Sequence, residues 1–148
     1  MQSINNNFFL LDLLNSLPYY SKTFPKSLGV EWLEEQFFPL LKFDKEIESN
    51  LRTVIEHISI QIAQVLNTHQ IKSVLISGGG ARNTFLIERI KHYFEGDLII
   101  PEDELLEFKE AIVFAFLGYL HLENKTNCLA DVTGASQSVR SGILHYPD

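Results

Sequence analysis

The chain has 148 residues, 45% hydrophobic and 21% charged, and that length fills one core of ordinary domain size, so a single domain over 1–148 is expected. Its formal charge of −7, with twelve Lys and Arg gathered into no stripe, excludes a nucleic-acid backbone binder. A single cysteine, Cys128, excludes an intrachain disulfide framework, and the start MQSINNN lacks the regions of a signal peptide, so a reduced, cytoplasmic protein is expected.

Along the chain, FFLLDLLNSL (8–17) clusters its apolar residues as a short helix does, and Pro18 with YYSKTFPKSLG marks its end and a long connection. EWLEEQFFPLL (31–41) reads as a second short helix stopped near Pro39. From Asp44, a plausible N-cap, Ile47, Leu51, Val54, Ile55, Ile58, Ile62, Val65 and Leu66 recur at spacings of three and four, which predicts a long amphipathic helix. SVLIS (73–77) reads as a buried strand, NTFLIERIKHYF (83–94) as an amphipathic helix and DLIIP (97–101) as a second strand, a parallel β-α-β unit. A helix from Glu104 to Leu122 follows, apolar nearly all round after Ala111, so several packed sides are expected. Its longest apolar run, AIVFAFLGYL (111–120), is half of the about 20 residues a membrane helix needs, so no membrane association is expected. The tail from Asn127 reads as irregular or partly extended.

The stretch SVLISGGGARNTFLIERI (73–90) carries the chemistry, because a strand ending in glycines and feeding a helix collects free backbone N–H groups at the positive end of the helix dipole. A nucleotide fits such a place, since a Cβ would hold a base or phosphate off the main chain. A plain strand-to-helix turn explains the glycines equally well. A P-loop is absent, because after Gly80 the chain reads ARNTFL with no lysine. A dinucleotide fingerprint fits at Gly78 and Gly80, with Glu102 as the ribose acid, but Asn83 stands at the third glycine position.

Four blocks in order, PKSLGVEWLEEQF (25–37), LISGGGARNTFLIERI (75–90), PEDELLEFKEAIVFAFLGYL (101–120) and NCLADVTGAS (127–136), resemble the C-terminal part of 1,6-anhydro-N-acetylmuramic acid kinases. That resemblance implies a helix-rich α/β fold, a partial three-layer domain of the actin-like ATPase (ribonuclease H-like) type. It further implies an enzyme that uses ATP, Mg2+ and water to open the anhydro ring and phosphorylate a recycled cell-wall sugar. On it, Gly78, Gly79, Gly80, Ala81 and Asn83 are the adenosine-side loop at a domain cleft. Glu110 is a sugar-facing carboxylate on the buried face of the 104–122 helix, although a solvated or helix-capping carboxylate remains its bland alternative. Asp131 and Thr133 match the family's tail, with Asp131 the weaker match. The family's phosphate loop and water-activating aspartate, and with them most Mg2+ ligands, have no counterpart here, so no catalytic residue is assigned and the chain reads as inactive alone. Its expected partners are the missing N-terminal domain, a nucleotide and the anhydro amino sugar, with a homodimer left open. The alternatives are a non-catalytic interaction or regulatory domain of the same fold, and a Rossmann-like dinucleotide binder.

The other polar candidates have ordinary readings. His57, His69, His92, His121 and His145 are scattered without ligand spacing, so no metal site is expected. Trp32 with Phe37 and Phe38 reads as core or interface, and Cys128 lacks a recognisable His partner nearby in sequence.

Overall fold

The computed structural model describes residues 7–23, 25–41, 47–143 and 145. They group into two compact units, 1–101 and 102–148, where composition leads one to expect a single domain. The physical reason is that apolar cores form only in the first unit, while among the described residues of the second none is buried.

In the first unit α1 (Phe8–Asn15) starts on Asn7, whose side chain accepts the Leu10 N–H. Pro18 does not open a plain loop; it occupies the first turn of a short helix, α2 (Pro18–Ser21), where its missing N–H costs nothing. The next segment is helical from end to end: α3 (Val30–Trp32), a π-turn (Leu33–Phe37) and α4 (Phe38–Leu41). Pro39, expected to stop it, lies inside α4. A proline ring clashes with the carbonyl four residues back, and the widened turn, in which Phe38 N–H reaches the Leu33 carbonyl, relieves that conflict. The expected cap Asp44 lies outside the described residues.

The long helix α5 (Ile47–Thr68) is where the sequence predicts it, but it faces the other way. At about 100° per residue, Ile47, Leu51, Ile58, Ile62 and Val65 fall within an arc of about 60°. These five are 72%, 60%, 38%, 38% and 50% exposed. The buried residues of α5 lie on the opposite side and are mostly polar: Ser49, Asn50, Thr53, Glu56, His57 and Ser59, with Ala63. Most polar groups there are answered by a neighbour, or by the helix itself, as burial requires. Thr53 Oγ1 donates to the Ser49 carbonyl (2.7 Å) and accepts the Asn7 N–H (2.9 Å). His57 Nδ1–H donates to Asn15 Oδ1 (2.7 Å), which also accepts from Gln61, while its Nε2 accepts the Tyr20 hydroxyl (2.8 Å). Burial pushes His57 down from 6.5 to about 4, so the ring is neutral. Leu10, Leu14 and Phe37, with Trp32 and Val54 against them, form the apolar cluster beside this polar strip.

After α5 come β1 (Ser73–Leu75), α6 (Thr84–Tyr93) and β2 (Asp97–Ile99), the expected parallel unit, in register Ser73 to Asp97 and Leu75 to Ile99. The strands are shorter than predicted, and β1 is not buried: Ser73 and Leu75 are exposed. Two strands cannot cover both of their own faces. Gly96 lets β2 begin against β1, since a Cβ there would meet the Lys72 carbonyl at 2.6 Å. Ala63, Ile90 and Phe94 are the centre of the second cluster, joined by Leu66, Val74 and Leu98.

The second unit is α7 (Asp103–Leu122) and a tail containing α8 (Ala130–Thr133), which Gly134 ends in the left-handed conformation. Contrary to the expectation of several packed sides, no residue of α7 is buried. The tail is more ordered than predicted, for Cys128 and Val139 pair as an antiparallel bridge and Asn127 exchanges two hydrogen bonds with Ser141.

Candidate functional site

The strand-to-helix corner is built from Gly78 onward. Gly78 adopts φ +90° and ψ −177°, a conformation open essentially to glycine alone. Residues Gly79–Arg82 then form one 3-10 turn, in which Ala81 N–H reaches the Gly78 carbonyl at 3.0 Å and Ala81 itself is buried. Asn83 closes the turn and caps α6 by accepting the Leu86 N–H on its side chain at 3.1 Å. Gly79 and Gly80 begin the turn, so their N–H groups have no acceptor within it, and they gain none from other described residues.

The space above these glycines is open. A Cβ on Gly78 or Gly79 would meet nothing within 4 Å, and one on Gly80 only Leu86 at 3.7 Å. Conformation therefore demands glycine at Gly78, while at Gly79 and Gly80 the chain's own packing does not. Two unbonded N–H groups beneath open space, beside a ten-residue helix's N-terminus, can receive an acceptor-rich ligand.

Residues that sequence reading left out hold α6 in place. Glu56 on α5, 2% exposed, takes two hydrogen bonds from Arg89 on α6, at 2.7 and 2.6 Å, and a third from the Tyr93 hydroxyl. Burial alone would raise the Glu56 carboxyl, but the bonds from Arg89 and Tyr93, with the charges of Arg89 and Arg52, hold it below the ordinary carboxylate range. Arg52 lies 4.5 Å over the Phe85 ring in the first turn of α6. Asn67 near the end of α5 binds the Tyr93 carbonyl and the Glu95 N–H. The signal in the sequence was the polar set Asn50, Thr53, Glu56 and His57 at helical spacing, which an apolar stripe on the other side disguises as a solvated face.

In the second unit Glu110 is exposed on α7, not on a buried face, because no described residue of that unit encloses it. Asp131 and Thr133 are exposed on α8, and the Thr133 hydroxyl donates to the Leu129 carbonyl at 2.9 Å. The tail brings Cys128 and His121 to one open, mainly apolar cavity of about 340 Å³, an approach that sequence distance hides. His121 Nδ1 is turned to the Ser141 carbonyl at 3.3 Å. Among the described residues no three His, Cys, Asp or Glu side chains gather as a metal site, and no helix is long and apolar enough to cross a membrane.

A helix-rich α/β chain with a glycine corner under open space is the class that this geometry defines. A sequence model of the anhydro-N-acetylmuramic acid kinase family matches residues 2–147, and the chain belongs to that family of kinases. It is 32% identical to an anhydro-N-acetylmuramic acid kinase of Actinobacillus pleuropneumoniae serotype 7 over 93% of this chain and 40% of that protein. With the Vibrio parahaemolyticus serotype O3:K6 protein of the same name it shares 30% identity over 95% of this chain and 40% of that protein. With that of Rippkaea orientalis it shares 33% over 87% and 37%. The chain thus spans about 40% of the length of the curated relatives it matches.

Proposed function

We propose that the chain is the nucleotide-side portion of an ATP-dependent anhydro-N-acetylmuramic acid kinase, folded as part of an actin-like ATPase domain. The observation that carries this reading is the glycine corner: the family match runs through it, and it offers unbonded N–H groups where side chains are missing for no internal reason. On this reading Gly78, Gly79, Gly80, Ala81 and Asn83 form the adenosine-side loop. The main-chain N–H groups of Gly79 and Gly80 meet the nucleotide, Gly78 sets the turn, and Asn83 fixes the helix behind it.

Glu110 is the sugar-side residue, its carboxylate accepting a hydroxyl of the anhydro amino sugar once the rest of the enzyme closes over α7. Phosphoryl transfer needs a positioned γ-phosphoryl group with its charge neutralised, usually by Mg2+. On this reading the Mg2+ ligands, the phosphate loop and the water-activating group are supplied by the part of the family polypeptide that this chain does not span. The chain alone is therefore without kinase activity.

Steady-state kinetics test the reading. The purified chain turns over no anhydro sugar. Supplied with the complementary portion of the kinase, Glu110→Gln loses about ten- to a hundred-fold in kcat/KM, the effect of one charged hydrogen bond of about 1.5–3 kcal/mol. ATP affinity hardly changes, and Glu107→Gln behaves as wild type. Equal, near-wild-type values for both variants would remove Glu110 from the sugar site.

A further inference from the structure

Arg52 on α5 is half-buried, and among the described residues its guanidinium has no hydrogen-bond or ion-pair partner. Its Nε is enclosed and unpaired. An enclosed donor without an acceptor costs free energy, and more so on a charged group. Two carboxylates stand at the helical spacing that ordinarily answers an arginine, Glu48 one turn before and Glu56 one turn after. Neither takes it. Glu48 is exposed and makes no ion pair with Arg52. Glu56 is turned to α6, where Arg89, at 2.7 and 2.6 Å, and the Tyr93 hydroxyl occupy both of its oxygens. The Arg52 charge still helps to lower the Glu56 carboxyl, but as a field and not as a bond. Arg89 thus holds the partner that lies nearest to Arg52 in sequence, and the Arg52 guanidinium stays available.

Its place in the fold says for what. α5 and α6 run parallel, since their contacts advance together from Arg52 and Phe85, through Glu56 and Arg89, to Asn67 and Tyr93. Arg52 therefore lies at the N-terminal end of α6, its guanidinium carbon 4.5 Å over the Phe85 ring, and Phe85 is two residues past the cap Asn83. At that same end the N–H groups of Gly79 and Gly80 stand unbonded beneath open space. The segment from Ser73 to Ile87 has no acidic residue and contains Arg82, so an anion entering the corner meets no repelling carboxylate from it. A guanidinium laid flat on an aromatic face keeps its edge donors for bidentate bonding, and a phosphate is the acceptor they fit.

We propose that Arg52 binds the phosphate attached to the nucleotide's ribose, so that the glycine corner discriminates nucleotides from free nucleosides. The proposal rests on the nucleotide reading of that corner and adds to it a residue of α5, outside the loop. It involves no γ-phosphate, so ADP and ATP remain alike.

Titrations of the full chain with adenosine, AMP and ADP, followed by ligand-observed NMR, test it in the wild type and in Arg52→Gln, Arg52→Lys and the control Arg140→Gln. AMP and ADP are expected to bind alike and about tenfold more tightly than adenosine. Arg52→Gln removes that advantage and leaves adenosine binding unchanged, Arg52→Lys keeps part of it, and Arg140→Gln behaves as wild type. Added salt weakens the binding of AMP and not that of adenosine. Thermal unfolding of each variant shows whether it folds; should Arg52→Gln not fold, the wild-type comparison of adenosine with AMP and its salt dependence decide. Equal affinity for adenosine and AMP, an advantage of AMP that survives Arg52→Gln, or an equal loss of both ligands in a folded Arg52→Gln would overturn the proposal and leave the corner's assignment standing. Failure of all three ligands to bind would overturn the assignment of the corner to a nucleotide, and this inference with it.

Discussion

The two units of the chain differ in what lies inside them. The first has two apolar clusters and, between α5 and its neighbours, an interior strip of hydrogen-bonded polar groups centred on Glu56 and His57. In the second, a twenty-residue helix with Ile112, Val113, Phe114 and Phe116 exposed has no buried residue. Both have apolar sequence in plenty, so hydrophobic content alone does not make a core. A core needs a second surface to bury against, and the first unit has one because α1, α2 and α6 return to α5 through specific polar contacts.

Breaking those contacts should separate the units most sharply. Arg89→Ala leaves a carboxylate 3% exposed without its guanidinium, which in comparable sites costs 3–5 kcal/mol; with Arg89 itself a quarter exposed, about 3 kcal/mol is expected in urea unfolding. Arg140→Ala in the second unit, where among the described residues the guanidinium bonds to the exposed Asn124 and the His121 carbonyl, should change stability by less than about 0.5 kcal/mol. Equal effects would erase the distinction.

The same strip predicts a pH dependence. The folded chain keeps His57 neutral down to about 4, whereas the unfolded chain takes up that proton from 6.5 downward. Unfolding thus gains a proton between these values, and stability falls by about 3 kcal/mol as pH drops from 6.5 to 4, staying level above. Glu56, whose carboxyl is lowered, adds its loss only below 4.5, where the unfolded carboxylate protonates first. Denaturation midpoints from pH 8 to 4 check this. His57→Gln should flatten the upper part of the curve, and an unchanged slope would place the titration elsewhere.

A smaller contrast lies within the glycine corner. Gly78→Ala forces a side chain into φ +90° and should cost about 1–3 kcal/mol, while Gly79→Ala, over open space, should be close to neutral. Thermal unfolding of the two variants side by side distinguishes a glycine required by conformation from one that merely lies under open space.

Much of this was legible in the sequence. The β-α-β order, α6 to within a residue of 83–94, and the glycine corner follow from local patterns that local hydrogen bonds decide. The existence of α5 was equally clear from Ile47 to Leu66, but its inward face was not, because periodicity reports that a helix has two faces and not which one finds a partner. Pro39 misled for a related reason: the rule that proline ends helices assumes regular spacing, which the π-turn breaks. Glu56, Arg89 and Tyr93 are thirty-seven residues apart at the extremes, and only the meeting of α5 and α6 makes them one group. The site residues assigned by resemblance divide likewise, with Gly78 to Asn83 lying together in one turn and Glu110 standing exposed on a helix of the other unit.

The most direct measurement of the central claim is a calorimetric titration of the chain with ADP and with ATP and Mg2+, beside Gly79→Val and Gly79→Ala. The account predicts weak binding that is alike for the two nucleotides, since it assigns to this chain the adenosine side and not the γ-phosphate. It predicts that Gly79→Val abolishes the binding while the fold survives, and that Gly79→Ala reduces it less. Binding that ignores Gly79→Val, or a strong preference for ATP over ADP, would contradict the assignment of the nucleotide to this corner.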